Sequence, residues 1–360
     1  MPRIPERKKL TAVGCYIFAG GFTVGVRQAG FDVLCHLEEG NFGTATAAQN
    51  WPNMPIHTDP ATWPTRSLRG KVDLVYCNPP CSSWSNMRII PNVERQLHWS
   101  ENPTTECLTR AFSLLSKIRP RVWCFESVRQ IWTKARDLLS RMSDEAARLG
   151  YSTTHLFTAA SDYGVPQRRL RYFMLCHDVK LNFAPSGQTD LPTVYSSLEK
   201  VSHANDLQVN CPESVRGIMP SVEQGKNVRS TWDRLYKDDP DLAPSRRPAF
   251  LYDRLLGDGV SYTITGGCTK LHPDEDRLIT VNEAKALCCY PPSFRFIGGA
   301  GSVFAQLGKG VMPPVARWLA TNIRRGIETG VKSDHPHETV LTATALTISQ
   351  GPPSKVKIKL

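Results

Sequence analysis

Residues 11–35 read TAVGCYIFAGGFTVGVRQAGFDVLC. A β-rich apolar run gives way to a glycine-rich turn, a short helical stretch and a second apolar run. That order predicts a strand–turn–helix–strand unit, the opening of a doubly wound sheet. FAGG at 18–21 falls at the carboxyl end of the first strand, where such sheets bind ligands and where glycine lets a ligand approach the backbone. A tight strand–helix turn without a ligand uses the same residues, so the turn alone decides nothing.

The alternation continues downstream. DLVYC (73–77) is a short apolar strand ending in the turn-forming NPP, LTRAFSLLSKI (108–118) has helical period, and VWCFES (122–127) is a buried strand. An amphipathic stretch from Ile131 to Leu149 predicts a helix stopped at Gly150, and RYFMLC (171–176) closes the series. Strands alternating with helices predict an α/β domain with a mainly parallel sheet. From about 178 to 265 the chain turns rich in Pro, Ser, Asp, Lys and Arg without clear period. The expected organisation is a first catalytic part at 1–177, an inserted loop-rich domain at 178–265, and a return to the catalytic domain at 266–330. Helical patterning at 280–290 and 313–325 supports that return. A polar, basic tail, 331–360, is expected to add at most one edge strand.

The chain has 360 residues, 41% hydrophobic and 21% charged, in the range of globular proteins. No run approaches the roughly 20 apolar residues that cross a bilayer. The opening MPRIPERKKL lacks the apolar core of a signal peptide. The expectations are therefore a cytoplasmic location and no membrane partner. Eleven cysteines without a CxxC pair argue against a metal site, and none is expected. A net charge of +11 attracts polyanions, of which nucleic acid is the abundant one.

Several residues could carry chemistry. Glu38, about twenty residues beyond the glycine turn, suits the two hydroxyls of a ribose, and Asp59 in HTDP suits an adenine amino group. Each carboxylate alone is equally an ordinary solvated group. In NPPCSSWS (78–85) the prolines stiffen a turn that holds Cys81 at the sheet edge, where a thiol of lowered pKa is a nucleophile. Glu126 in FESV stands at another strand end, where a closed pocket keeps a carboxyl protonated. In DYGVPQRRLRYFML (162–175) Arg169 and Arg171 alternate on an extended segment and are expected to share a face. Two guanidiniums there suit a phosphate or a base carbonyl.

In this order the motifs resemble the DNA cytosine-5 methyltransferase family, over about 11–176 and 272–326. PPC and PQRRLR at these distances from FESV are the specific part; DRLITVNEAKAL and QLGKGVMPPVARWLATNI follow in the family's order. The resemblance implies a Rossmann-like class I methyltransferase fold, with 178–265 as its target-recognition domain. It implies a flipped-out cytosine in double-stranded DNA, attacked at carbon 6 by Cys81. Glu126 would hold N3 and the exocyclic amine, Arg171 the carbonyl oxygen, and Arg169 would support the pocket. Phe18, Ala19, Gly20, Glu38 and Glu39 would hold S-adenosylmethionine, with Asp59, Pro60, Pro80, Lys309 and Gly310. The mobile loop closing the site would run from about Ser82 to Glu101. A monomer in a bacterial or virus-infected cell, in or out of a restriction-modification system, is the expected setting.

The departures from the family are informative. The glycine turn is short, Tyr16 stands where an acid is common, and Ser127 replaces an Asn. The family's Gly-Asn-Ser/Ala-Val reads here as Gly308-Lys309-Gly310-Val311. A lysine ammonium there would repel a sulfonium but attract a carboxylate on the transferred group. The expectation is carboxymethyl transfer from carboxy-S-adenosylmethionine, giving 5-carboxymethylcytosine. Ordinary methyl transfer, with Lys309 snorkelling to solvent or pairing with an acid, is the alternative. Two others are a cytosine-5 methyltransferase acting on RNA and a catalytically dead DNA-binding protein.

Overall fold

The computed structural model describes residues 9–81, 84–85, 103–188, 190–203, 206–333 and 336–342. The chain opens with β1 (Thr11–Cys15), α1 (Gly21–Gln28), β2 (Asp32–Leu37), α2 (Asn41–Asn50) and β3 (Ile56–His57). Next come α3 (Thr65–Leu68), β4 (Leu74–Cys77), α4 (Pro103–Ile118) and β5 (Val122–Val128). After α5 (Ile131–Lys134) and α6 (Arg136–Arg148) follow β6 (Ser152–Ala159), β7 (Gln167–Arg168) and β8 (Leu170–His177). The amphipathic stretch after Ile131 is thus two helices: Ala135 leaves helical geometry at φ −138° and breaks the ladder.

Eight strands form one sheet, in the order β12-β6-β8-β5-β4-β1-β2-β3, where β12 (Glu338–Thr342) comes from the tail. All pairings in it are parallel except those of β8, which runs antiparallel to β5 and β6. Because central parallel strands are covered on both faces, they read as continuous apolar runs, and every residue of β4 is buried. Tyr76 joins the core on the side of α1, while Val75 and Cys77 join the core on the side of α4 and α6.

The chain runs outward from β1 to β3 and then returns to place β4 on the other side of β1. That reversal is a topological switch point, and it leaves a crevice at the carboxyl ends of β1 and β4. Cys15 and Cys77 stand in register there, so FAGG and NPPC leave the sheet side by side.

Between β8 and the returning helices the elements are short: α7 (Val194–Leu198), α8 (Glu213–Arg216), α9 (Val228–Tyr236), β9 (Asp253–Arg254), β10 (Ser261–Tyr262) and β11 (Lys270–Leu271). β10 pairs with β7, which ties this segment to the QRR stretch. The returning part holds α10 (Val281–Leu287), α11 (Ala300–Lys309) and α12 (Pro313–Thr329). A reciprocal Thr280–Glu283 capping box starts α10, and prolines in its first turn start α12. α12 packs on α1 so closely that a Cβ at Gly25 would meet Ala316 Cβ at 2.5 Å.

Candidate active site

The turn after β1 departs from ordinary backbone. Tyr16 and Phe18 adopt φ of 53° and 45°, left-handed values uncommon outside glycine. Gly20 follows at φ 74°, and a Cβ there would also strike the Trp51 ring at 2.7 Å. The turn faces Glu38 at the end of β2. Glu38 is 2% exposed and accepts from the backbone N–H of Phe18 at 3.1 Å and of Gly40 at 2.8 Å. Burial raises its pKa, against those hydrogen bonds. Glu39 points to a different group: its Oε1 accepts from Tyr16 Oη at 2.5 Å and from Arg110 of α4 at 2.6 Å. Asp59 is exposed and accepts from Ala61 N, capping a one-turn helix that begins at Pro60. Ala19 is fully buried under the turn.

A buried carboxylate at the end of β2, a second acid beyond β3 and a strained turn that ends in two glycines fit the nucleoside part of S-adenosylmethionine. Glu38 would take the ribose hydroxyls and Asp59 the adenine amine. These residues present no sulfonium chemistry themselves.

The second crevice turn carries Cys81. Asn78 N donates to Cys15 O at 3.0 Å, holding NPPC against β1, and Trp84 and Ser85 N–H groups donate to Cys81 O at 3.2 Å. The remainder of the loop, Ser82–Ser83 and 86–102, lies outside the described residues. Glu126 on β5 is 1% exposed. Asn78 Nδ2 donates to its Oε2 at 2.7 Å, and Arg171 Nε stands 2.7 Å from its Oε1. Burial raises the Glu126 pKa, and Arg171 and Arg169 only partly oppose it. Burial likewise raises the Cys81 thiol above its ordinary 9.0; Glu126 adds to the rise, while Arg171 and Arg169 offset part of it. Burial and the Glu126 charge thus favour the thiol over the thiolate in the free protein, the opposite direction from the lowered pKa that activates a thiol. Neutralising Glu126 removes one of the charges that oppose thiolate formation.

Arg169 and Arg171 do not share a task. Arg169 sits in the break between β7 and β8, 2% exposed, and turns to the returning part of the chain. It donates to the carbonyls of Ile264 at 3.1 Å, Gly308 at 2.9 Å and Gly310 at 2.8 Å. Alternation on one strand fails here because the strand is interrupted at this residue.

A cavity of about 930 Å³ opens over Cys81. Phe18, Pro80, Cys81 and Lys309 line it, together with Phe250 to Asp253 and Thr265 to Lys270. Lys309 ends α11, and its Nζ lies 5.6 Å from the centre of the Phe18 ring. Among the described residues it has no acidic partner. Glu38, Glu39 and Asp59 do not line this cavity. Sequence reasoning missed Asn78, whose only local signal is its place before PPC. It also missed Arg110, which pairs with Glu106 on α4 and with Glu39 beyond the end of β2. Among the described residues no helix is long and apolar enough to cross a membrane, and no cluster of three metal-ligating side chains occurs.

The comparisons with known proteins agree with this geometry. The family model described as C-5 cytosine-specific DNA methylase matches residues 16–325. The Type II methyltransferase M1.HphI of Haemophilus parahaemolyticus is 25% identical over 86% of each chain. The Type II methyltransferase M.AplI of Arthrospira platensis is 24% identical over 89% of this chain and 88% of its own. In fold, a putative DNA modification methyltransferase encoded within an Escherichia coli prophage superposes with a TM-score of 0.69 at 18% identity, over 89% of this chain and all 100% of its own. Spodoptera frugiperda DNMT2 follows with a TM-score of 0.60 at 14% identity, over 88% and 100%. With its doubly wound sheet, its crevice turns and a match over residues 16–325, the chain belongs to the C-5 cytosine-specific DNA methylase family.

Proposed function

We propose that the protein alkylates carbon 5 of cytosine in double-stranded DNA, through a covalent bond between Cys81 and carbon 6 of a flipped-out base. One observation carries the reading: Cys81, at the switch point, stands within the electrostatic reach of the paired Glu126 and Arg171 and lines a cavity together with residues 249–253 and 265–270. Burial shifts Glu126 toward its protonated form, and a protonated Glu126 donates to N3 while its other oxygen accepts from the exocyclic amine. Arg171 then takes the base carbonyl. The Cys81 thiol gives up its proton to solvent as its sulfur bonds to carbon 6, N3 gains the Glu126 proton, and carbon 5 becomes enamine-like. S-adenosylmethionine, when bound, supplies an electrophilic carbon to that position. Loss of the carbon 5 proton to solvent then expels Cys81 as thiolate, and N3 returns its proton to Glu126, which restores the ring. Unstacking the base costs a few kcal/mol, recovered in the pocket.

On this reading residues 178–265 form the target-recognition domain. Exposed Phe250 and Leu251, which line the same cavity as Cys81, support it. Relatives named as type II methyltransferases support a modification role on a defined DNA site. The test is label transfer from S-[methyl-³H]adenosylmethionine and its carboxylated counterpart to duplex DNA and to RNA. Incorporation into RNA alone would overturn the DNA assignment.

Lys309 supports a finer reading, in which the group transferred is carboxymethyl from carboxy-S-adenosylmethionine. Lys309 lines the same cavity as Cys81 and has no acidic partner among the described residues. The missing partner speaks against pairing with an acid within the fold; Lys309 is exposed, so the alternative in which it reaches solvent and leaves ordinary methyl transfer stands beside the carboxymethyl reading.

A further inference from the structure

We propose that Arg169 is a positioning residue: by holding the carbonyls on both sides of Lys309, it fixes where that ammonium stands over the cavity. Three hydrogen bonds carry the inference. Arg169 Nη2 donates to Gly308 O at 2.9 Å and to Gly310 O at 2.8 Å, and Nη1 reaches Ile264 O at 3.1 Å. The first two acceptors are the residues immediately before and after Lys309. One guanidinium therefore grips the backbone on each side of the side chain it positions.

The packing around the clamp leaves the backbone little freedom. A Cβ at Gly308 would run into the backbone of Thr265 and Gly266, and one at Gly310 would meet Tyr290 Oη at 2.7 Å. The end of α11 thus lies directly against the 264–266 segment, and Arg169 binds both. With its Cα so fixed, Lys309 extends over Phe18. Burial pulls the Arg169 pKa down to about 10, so the clamp stays charged at neutral pH. Charge-assisted bonds of this kind are about twice as strong as neutral ones. A lysine in place of Arg169 keeps the charge but loses the planar fork that reaches separate carbonyls.

The consequence for cofactor choice rests on the reading in which Lys309 faces the transferred group. The position of Lys309 does not, and it can be read separately. Lysines of the full-length protein are reductively ¹³C-methylated, and the Lys309 signal is identified by its loss in Lys309→Arg. Lys309 is itself exposed, and in the wild type the Phe18 ring shifts its signal away from those of lysines with no ring beside them. In Arg169→Lys it moves toward the signals of those other lysines. The ratio of dissociation constants for S-adenosylmethionine and its carboxylated counterpart changes by about tenfold, roughly 1.4 kcal/mol. Exchange of the carbon 5 hydrogen of cytosine with solvent, measured without cofactor, reports Cys81 chemistry alone and falls by less than that ratio. Gly310→Ala leaves Arg169 intact, displaces the same loop and shifts the signal too; if Arg169→Lys does not fold, this variant decides. An unmoved Lys309 signal in the folded variant overturns the proposal. So does exchange that falls as far as the cofactor ratio, since Arg169 would then act on the base. A wild type without exchange counts against the alkylation reading instead and leaves the signal test standing.

Discussion

The side-chain amide of Asn78 donates to Oε2 of Glu126 at 2.7 Å, joining the turn after β4 to the end of β5. Both residues are buried, at 1% exposure each. The bond fixes the carboxyl plane that would face the base, and Arg171 holds the other oxygen. A hydrogen bond to a charged or polarised buried group is worth about 1.5–3 kcal/mol. Asn78→Ser is therefore expected to lower kcat by roughly ten- to a hundredfold, with a smaller change in KM for DNA. Steady-state kinetics on a duplex substrate read both constants.

Glu126 also makes stability depend on pH. Its folded pKa lies above its ordinary 4.5 because burial opposes the charge. The folded state thus binds more protons than the unfolded one in that interval. Its stability contribution is present below 4.5 and lost as pH rises through the folded pKa. Glu126→Gln removes that slope, so thermal unfolding from pH 5 to 8.5 should show the variant gaining on the wild type toward high pH. The same variant should lose nearly all activity, because its amide offers no transferable proton.

How legible this was from sequence depends on where each partner lies. β1, α1 and β2 and the NPPC turn are local, and apolar period with Gly and Pro punctuation located them. β6 was missed: STTHLFTA is polar in composition, yet its threonines and His155 are buried, with Thr154 bonded to His177 and His155 to Tyr172, so tertiary contacts override the pattern. Arg169 was expected to lie beside Arg171, but its acceptors are 95, 139 and 141 residues away. No local period encodes such distances. The one edge strand expected of the tail is β12, which pairs with β6 and is anchored by Glu338 at 2.7 Å from His155.

Cys81→Ser should abolish a covalent adduct with duplex DNA carrying 5-fluorocytosine. The wild-type protein should form one, because fluorine at carbon 5 blocks the final proton loss. Duplex affinity should survive the substitution, since a single hydroxyl replaces a half-buried thiol. Denaturing gels read the adduct and filter binding reads the affinity. An adduct that persists in the serine variant would remove Cys81 from the reaction.

Arg246 is exposed within the stretch proposed to read DNA. If it neutralises one phosphate, Arg246→Ala reduces the slope of log affinity against log salt by about 1. Binding should weaken by a similar factor on every duplex, leaving site preference intact. A full salt titration separates this from a base contact, which would change preference at one position instead.

Lys309→Asn bears on the group transferred. With Lys309 about 5 Å from a sulfonium at an effective dielectric of about 20, repulsion is on the order of 3 kcal/mol. That corresponds to roughly a hundredfold in affinity. Replacing Lys309 by Asn should therefore tighten S-adenosylmethionine binding by up to that factor. A carboxylate on the transferred carbon reverses the sign, so the same replacement should weaken carboxy-S-adenosylmethionine binding. Purified protein offered both cofactors in competition, with the DNA digested for mass spectrometry, should give chiefly 5-carboxymethylcytosine in the wild type. The variant should give chiefly 5-methylcytosine. Methylcytosine alone from both proteins, with matching affinities, would place Lys309 outside cofactor choice.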